Sequence, residues 1–132
     1  MIGFIDTGID YTNPAFRYSD GSSRIVRIWD QTIQDGTPPV GILYGADYTR
    51  EQINAALLSE NPYDLVPSRD MNGHGTFLAG VACGSESENG DFIGAAPQSR
   101  PHAFFFHRYN SDKMAEIPRL HDFLHCFQVP HR

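Results

Sequence analysis

Ile2-Gly3-Phe4-Ile5-Asp6-Thr7-Gly8 is the stretch of this sequence that decides the fold. Its first four residues form a short, almost wholly apolar run, which is typical of a buried strand in a parallel sheet. The run closes on Asp-Thr-Gly, so the strand carries the Asp6 carboxylate to its carboxyl end. Open α/β sheets place their functional sites at that end. The stretch therefore predicts an α/β fold with Asp6 as a candidate functional acid.

A second motif, Gly73-His74-Gly75-Thr76-Phe77-Leu78-Ala79-Gly80, begins a predicted helix. Apolar residues repeat at helical spacing after His74 and Gly84 is a typical stop, so we expect a helix over residues 74–83. A carboxylate at a strand end can accept the Nδ1 proton of an imidazole, which leaves Nε2 free to take a hydroxyl proton. His74 is therefore a candidate general base, and Asp6 is the candidate acid that orients it.

The region between the two motifs is predicted to hold further strands and one helix. Residues 25–29 have β propensity, and residues 41–48 are predicted to carry a strand that returns beside them. A helix is predicted over residues 50–59, where Thr49 can cap the first turn and Gln52 stands at the reciprocal position of a capping box. We therefore expect two adjacent strands and a capped helix between the two candidate site residues.

Three motifs occur in a fixed order over roughly residues 2–97, namely FIDTGID, GHGTFLAG and GAAP. They resemble successive motifs of the subtilisin-like serine peptidases of the S8 family. The resemblance implies the N-terminal part of a subtilisin-like α/β domain, with an incomplete parallel sheet flanked by helices. In that family an Asp orients the His, the His is the general base, and a serine far downstream is the nucleophile. The resemblance assigns the first two roles to Asp6 and His74.

No serine of the chain has the neighbours of the family's nucleophile. That residue lies in Gly-Thr-Ser with small residues and Pro behind it, unlike each serine here: Ser19, Ser22, Ser23, Ser59, Ser68, Ser85, Ser87, Ser99 and Ser111. The Asn of the family's oxyanion hole also has no recognisable counterpart. Loss of the nucleophile costs about 10⁶-fold in turnover in such enzymes, so we expect a truncated serine endopeptidase chain that is inactive alone. The alternative is a non-catalytic pseudoprotease, or a split-domain fragment that acts by binding a partner.

The chain departs from compact subtilisins in two respects. Asp6 and His74 are 68 positions apart, which is longer than in compact subtilisins and resembles the longer subtilases of clostridia and related bacteria. Ala15 stands where secreted subtilisins place a calcium-ligating Asp. The resemblance thus implies calcium as a cofactor, but this residue does not support it, and we expect no other cofactor or metal. For the full-length enzyme the family implies a peptide or protein substrate.

The charge of the chain is unevenly distributed. Its net charge of −6 argues against nucleic acid and anionic membrane surfaces as partners, and no apolar stretch is long enough for a membrane span. Residues 1–98 hold 5 Arg against 13 acids, whereas residues 99–132 hold 5 basic residues, 3 acids and five of the six histidines.

The β-branched strand that an α/β chain would show after Pro97 is not evident. We therefore predict an N-terminal portion of a subtilisin-like peptidase domain over residues 1–98. Residues 99–132 are then an atypical tail, frameshifted or disordered, with an authentic divergent tail as the alternative.

Three further interpretations remain open. Asp-Thr-Gly after an apolar strand is also the signature of aspartic peptidases, although that family has no His-Gly-Thr helix start. His121 and His125 lie four residues apart and, with Asp122 and Cys126, could present two ligands to zinc on one helix face. Asp10 fits a turn acid better than a ligand. The sequence indicates no compartment.

Overall fold

Four strands and two α-helices make up the described part of the chain. The computed structural model describes residues 1–105, and of residues 102–105 it describes the backbone alone. The elements in chain order are β1 (Ile2–Asp6), β2 (Arg27–Asp30), β3 (Ala46–Thr49), α1 (Arg50–Leu58), α2 (His74–Cys83) and β4 (Pro101–Phe105), with short 3-10 helices at Pro14–Phe16 and Pro62–Asp64. Strands and helices share one fold, which confirms the predicted α/β class.

The strands form a single sheet in the order β1-β4-β2-β3. Strand β4 lies between β1 and β2 and is parallel to both, while β3 pairs antiparallel with the outer side of β2. Asp6 at the end of β1 and Asp30 at the end of β2 are both in register with Phe105 of β4. The parallel strands therefore end together, and β1 carries Asp6 to the carboxyl edge of the sheet.

The position of β4 differs from the sequence-based expectation. We expected no strand after Pro97, but Pro101–Phe105 lies in the middle of the sheet. That prediction was wrong because it required β-branched residues, whereas aromatic residues also favour strands and Pro is tolerated at a strand's first position. The division of the chain at residue 98 and the origin of the tail stay predictions. Residues 106–132, which include the histidines considered for zinc, lie outside the described part.

The other elements agree with the sequence apart from small shifts. Strand β2 begins two residues later than expected, and β3 begins five residues later than the predicted segment and ends one residue beyond it. Thr49 and Gln52 form the predicted capping box at the start of α1. Helix α2 ends as predicted, but Gly84 has φ −60 rather than a left-handed conformation. A Cβ at Gly84 would lie 2.7 Å from the Gly80 carbonyl oxygen, so close packing, not handedness, requires glycine there.

One apolar core joins both helices to the sheet. Ile28 of β2, Ile53 of α1 and Ala79 of α2 belong to it, and each is at most 1% exposed. Phe4 of β1 packs against it from a partly buried position. Its other members are Ile9, Tyr11, Phe16, Ile25, Ala56 and Val66. Because α2 packs on this core and contacts β1, its first residue lies beside the end of that strand.

A buried arginine holds the segment that leads into β4. Arg24 is 4% exposed, and its guanidinium donates to the carbonyl oxygens of Pro97 and Ser99, the latter at 2.7 Å. The same group donates to the carbonyl oxygen of Ala15 at 3.1 Å and to Ser85 Oγ at 2.8 Å. These four acceptors compensate for the cost of burying a charge. Arg24 thereby fixes the approach to β4 against the loops at the other end of the sheet.

Candidate active site

Asp6 and His74 are brought together at the carboxyl edge of the sheet. Asp6 is the last residue of β1 and His74 is the first residue of α2. The Nδ1 atom of His74 lies 2.7 Å from Oδ1 of Asp6. The amide of Thr7 donates to the same Oδ1 atom at 2.7 Å, which fixes the carboxylate relative to its own backbone. The packing of α2 against β1 has closed the long separation in sequence.

The two side chains differ in exposure. The Asp6 side chain is 14% exposed, whereas the imidazole of His74 is 58% exposed. An ionised carboxylate only accepts hydrogen bonds, so Nδ1 of His74 must be the donor and Nε2 is the nitrogen that can accept a proton. The arrangement is therefore an oriented imidazole within reach of solvent or of a bound molecule.

Asp6 is held in its charged form. Burial acts to raise the pKa of its carboxyl, but the hydrogen bonds from His74 and from the Thr7 amide outweigh burial and leave that pKa below its ordinary value of 3.8. A charged Asp6 favours a proton on Nδ1 of His74 over one on Nε2. The electrostatics of the pair thus agree with its hydrogen-bond geometry.

Glycines allow α2 to begin against the turn that follows β1. A Cβ at Gly75 would lie 2.2 Å from the Gly8 carbonyl oxygen and 3.1 Å from Cβ of Asp6. Gly73, which precedes the helix, has φ +86, a left-handed conformation that favours glycine. Gly75 is thus required by close approach and Gly73 by its backbone conformation. Both are needed for His74 to reach Asp6.

Sequence reasoning missed one residue beside the pair, Asp70. Gly73 has no side chain to cap α2, and the Asp70 carboxylate accepts from the Gly73 amide at 2.8 Å and from the Thr76 amide at 2.9 Å. It also accepts from the hydroxyl of Thr7 at 2.9 Å. An Asp shortly before a predicted helix start is a typical capping residue, and this signal could have identified Asp70.

Asp10 is a turn acid, as predicted. Its Oδ1 atom accepts from the amide of Thr12 at 3.0 Å and from the hydroxyl of Thr12 at 2.6 Å. These bonds close a local turn after the first motif. The same oxygen also accepts from the Tyr63 hydroxyl at 3.4 Å, so Asp10 links its loop to the 3-10 helix at Pro62–Asp64.

The position corresponding to the family's calcium site does not fit a cation. Ala15 offers no side-chain ligand, and its carbonyl oxygen accepts from the positively charged Arg24 guanidinium and, at 2.9 Å, from the Ser85 amide. Among the side chains that the structure describes, those of residues 1–101, no three His, Cys, Asp or Glu groups converge as a metal ion would require. The same part of the chain has no helix long and apolar enough to cross a bilayer.

The fold and site together define an α/β protein in which a strand-end carboxylate hydrogen-bonds to an imidazole at a helix start. The sequence model described as the Subtilase family matches residues 1–114 of the chain. The chain therefore belongs to the subtilase family, and the aspartic-peptidase interpretation is set aside.

Individual relatives agree with this assignment. The chain is 30% identical to subtilisin-like protease SBT2.4 of Arabidopsis thaliana over 115 residues, or 76% of its length. It is 34% identical to subtilisin-like protease SBT2.2 of the same plant over 93 residues, or 64% of its length. The structure of the Clostridium perfringens CspB protease matches 82% of the chain with a TM-score of 0.69 and 39% identity. The predicted resemblance to clostridial subtilases is thus confirmed.

The matches cover only a part of each relative. The chain spans 14% of SBT2.4, 11% of SBT2.2 and 21% of the CspB protease chain.

Proposed function

We propose that Asp6 and His74 are the orienting acid and the general base of a serine endopeptidase that cleaves peptide or protein substrates. The proposal includes a nucleophilic serine supplied from outside these 132 residues, so that the chain alone is inactive. The observation that carries it is the 2.7 Å contact between Asp6 Oδ1 and His74 Nδ1. That contact leaves Nε2 as the proton acceptor, which is the geometry of a catalytic base.

The chemistry follows from the pair. Nε2 of His74 takes the hydroxyl proton of the serine as its oxygen forms a bond to the substrate carbonyl carbon. The tetrahedral intermediate then collapses, the C–N bond breaks, and the departing amine takes the proton from Nε2. Water, activated in the same way, releases the acid from the acyl-enzyme. Asp6 stays ionised throughout and stabilises the imidazolium.

Two serines of the described residues, Ser23 and Ser68, are too deeply buried to be the nucleophile. Ser68 is 1% exposed and donates to Asp30 Oδ2 at 2.6 Å, so it is fixed inside the fold. Ser23 is fully buried, and its oxygen accepts from the Ile25 amide at 3.1 Å. Neither can approach a substrate at His74. Loss of the nucleophile lowers turnover about 10⁶-fold in enzymes of this type.

The first test is hydrolysis by the chain alone. We expect no cleavage of casein or of a fluorogenic peptide above the buffer rate. The control is the His74→Ala variant, which should be equally inactive. Cleavage that survives purification and disappears in His74→Ala would show that the chain contains its own nucleophile.

The second test is reconstitution. A serine-bearing C-terminal segment of a subtilase catalytic domain, added in excess, should restore cleavage with the wild-type chain and not with Asp6→Asn or His74→Ala. The matched control is Asp20→Asn, since Asp20 lies in an exposed turn where its carboxylate accepts from the amide and the hydroxyl of Ser22. A complex that forms by light scattering but does not cleave any peptide would refute the catalytic role.

A non-catalytic function as a binding fragment is the second candidate. It is favoured by the outer face of α2, where Phe77 is 66% exposed and Val81 is 41% exposed. Apolar surface of this kind marks protein interaction sites. This candidate requires that the added segment binds equally well to wild type and to His74→Ala and that neither mixture cleaves peptides.

A further inference from the structure

Asp70 joins the end of β1 to the start of α2. Its Oδ1 atom accepts from Thr7 Oγ1 at 2.9 Å, and its Oδ2 atom accepts from Thr76 Oγ1 at 2.6 Å. Thr7 directly follows Asp6, and Thr76 lies two residues after His74. One carboxylate thus hydrogen-bonds to both segments that carry the candidate catalytic pair.

The two threonine hydroxyls extend this connection back across the same junction. Thr7 Oγ1 accepts from the Gly75 amide at 3.1 Å, and Thr76 Oγ1 accepts from the Asp10 amide at 2.9 Å. A carboxylate can only accept, so both hydroxyl protons must be directed to Asp70. The result is a closed set of hydrogen bonds that crosses between the β1 turn and α2. These hydrogen bonds fix Thr7, which directly follows Asp6, and Gly75, which directly follows His74.

Asp70 also supplies the N-terminal cap that Gly73 cannot provide. Its oxygens accept from the amides of Asn72, Gly73 and Thr76 at 3.1, 2.8 and 2.9 Å. A negative charge at a helix N-terminus is favourable. Burial opposes ionisation, but the bonds from Thr76, Gly73 and Thr7 outweigh it and lower the pKa of this carboxyl. Asp70 is therefore charged near neutral pH.

The backbone around Asp70 is packed tightly against the turn. Gly8 has φ +143, and a Cβ at that position would lie 2.7 Å from Cα of Asp70. A side chain on Gly8 would displace Asp70 and with it the bonds to Thr7 and Thr76. The position of Asp70 is thus set by packing as well as by its hydrogen bonds.

We propose that Asp70 is a positioning residue for the subtilase-type reaction, since it holds the Asp6 carboxylate and the His74 imidazole at hydrogen-bonding distance. This inference rests on the proposed function. Asp70 makes no hydrogen bond to Asp6 or His74, and it acts through Thr7 and through the first turn of α2. Catalytic groups must be held within about 0.5 Å of the productive geometry, so a loosened junction misaligns His74.

The test reads the tautomer of His74 directly, so it does not depend on hydrolysis. Ring ¹⁵N shifts of His74, assigned with the His74→Ala variant, report whether the neutral imidazole carries its proton on Nδ1 or on Nε2. We expect the wild type to be mainly Nδ1-protonated. In Asp70→Asn the ratio of Nδ1–H to Nε2–H should fall about fivefold, the effect expected when one hydrogen bond is lost. The indole signal of Trp29, which is 1% exposed, checks that the fold is retained.

The matched control is Asp20→Asn. Asp20 accepts from the amide and the hydroxyl of Ser22 at 2.9 and 2.6 Å, so it closes a similar local turn away from the pair. This variant should leave the His74 tautomer unchanged. An unchanged tautomer in a folded Asp70→Asn variant would overturn the proposal and leave the proposed function intact. A wild type without the Nδ1 proton would overturn both.

A second variant covers the case in which Asp70→Asn does not fold. Thr7→Val removes the hydroxyl that joins Asp70 to the Gly75 amide but leaves the bonds from the Gly73 and Thr76 amides to Asp70 in place. We expect the same tautomer shift in Thr7→Val and restoration of the wild-type ratio in Thr7→Ser. Retention of the wild-type ratio in Thr7→Val would count against Asp70 as a positioning residue. In the reconstituted enzyme, Asp70→Asn and Thr7→Val should each lower kcat with little change in KM.

Discussion

Helices α1 and α2 begin in different ways. At the start of α1, Thr49 and Gln52 satisfy each other's amides, with Gln52 Oε1 accepting from the Thr49 amide at 2.8 Å. Helix α2 has Gly73 at its N-cap, which provides no side-chain cap of this kind. The amides at its start bond to the nearby Asp70 and to Thr7, which lies in the turn after β1. The ordinary helix is thus capped locally, whereas the helix that carries His74 is tied at its start to the sheet.

The largest expected effect comes from breaking the tie at α2. Gly75→Ala places a Cβ 2.2 Å from the backbone oxygen of Gly8, which cannot move without shifting the end of β1. We expect a loss of about 3 kcal/mol in the free energy of unfolding, the upper range for overpacking. The measurement is urea denaturation followed by Trp29 fluorescence.

Gly80→Ala is the matched control in the same helix. A Cβ at Gly80 meets nothing within 4 Å, and alanine is the better helix former, so this variant should gain about 0.5–1 kcal/mol. Equal effects of the two substitutions would mean that α2 does not depend on close contact with the turn after β1.

This contrast also explains what the sequence could and could not predict. The strand that ends at Asp6, the α1 capping box and the bounds of α2 follow from neighbouring residues. The Asp6–His74 pair was predicted because the two motifs were recognised together. The role of Asp70 depends on a partner 63 positions away at Thr7, which no local pattern shows. Strand β4 was missed because its sequence has no β-branched residue and because its pairing partners, β1 and β2, are distant in sequence.

The outer faces of the two helices extend the comparison. On α2, Phe77 is 66% exposed and Leu78 and Val81 are 38% and 41% exposed, whereas the first turn of α1 exposes Glu51. Apolar patches of this kind promote association, so we expect the chain alone to form larger species. Light scattering should show fewer of them for Phe77→Lys.

Leu58→Lys is the control for that experiment. Leu58 is 89% exposed at the end of α1 and stands apart from the α2 patch. The added charge is the same in both variants, so a difference between them isolates the contribution of α2. An equal reduction would assign the effect to net charge and not to the α2 face.

Removal of the local cap on α1 should have a smaller and separate effect. Thr49→Ala deletes the hydroxyl that accepts from the Gln52 amide, a long bond of 3.5 Å. We expect a loss of about 0.5–1 kcal/mol, the lower range for an N-cap, in urea denaturation. Thr49→Ser keeps a hydroxyl at this position and should retain most of the wild-type stability. A loss as large as that of Gly75→Ala would contradict the view that α1 is stabilised locally and independently.

The smallest expected effect is on stability at low pH, where the contributions of the carboxylates at the two helix starts can be compared. Hydrogen bonds at Asp70 outweigh its burial and leave its pKa below the ordinary value of 3.8. Its contribution to stability is therefore complete above that value and is lost as pH falls through the lowered pKa. Glu51 of α1 also has a lowered pKa, through its own backbone and Thr49, but it is fully exposed, where solvent and salt weaken such interactions. Urea midpoints measured from about pH 6 to about pH 2.5 should decline less steeply in Asp70→Asn than in wild type, and Glu51→Gln should follow wild type. If Glu51→Gln flattened the curve and Asp70→Asn did not, the acid-sensitive interactions would lie at α1, and the junction of β1 with α2 would not depend on the charge of Asp70.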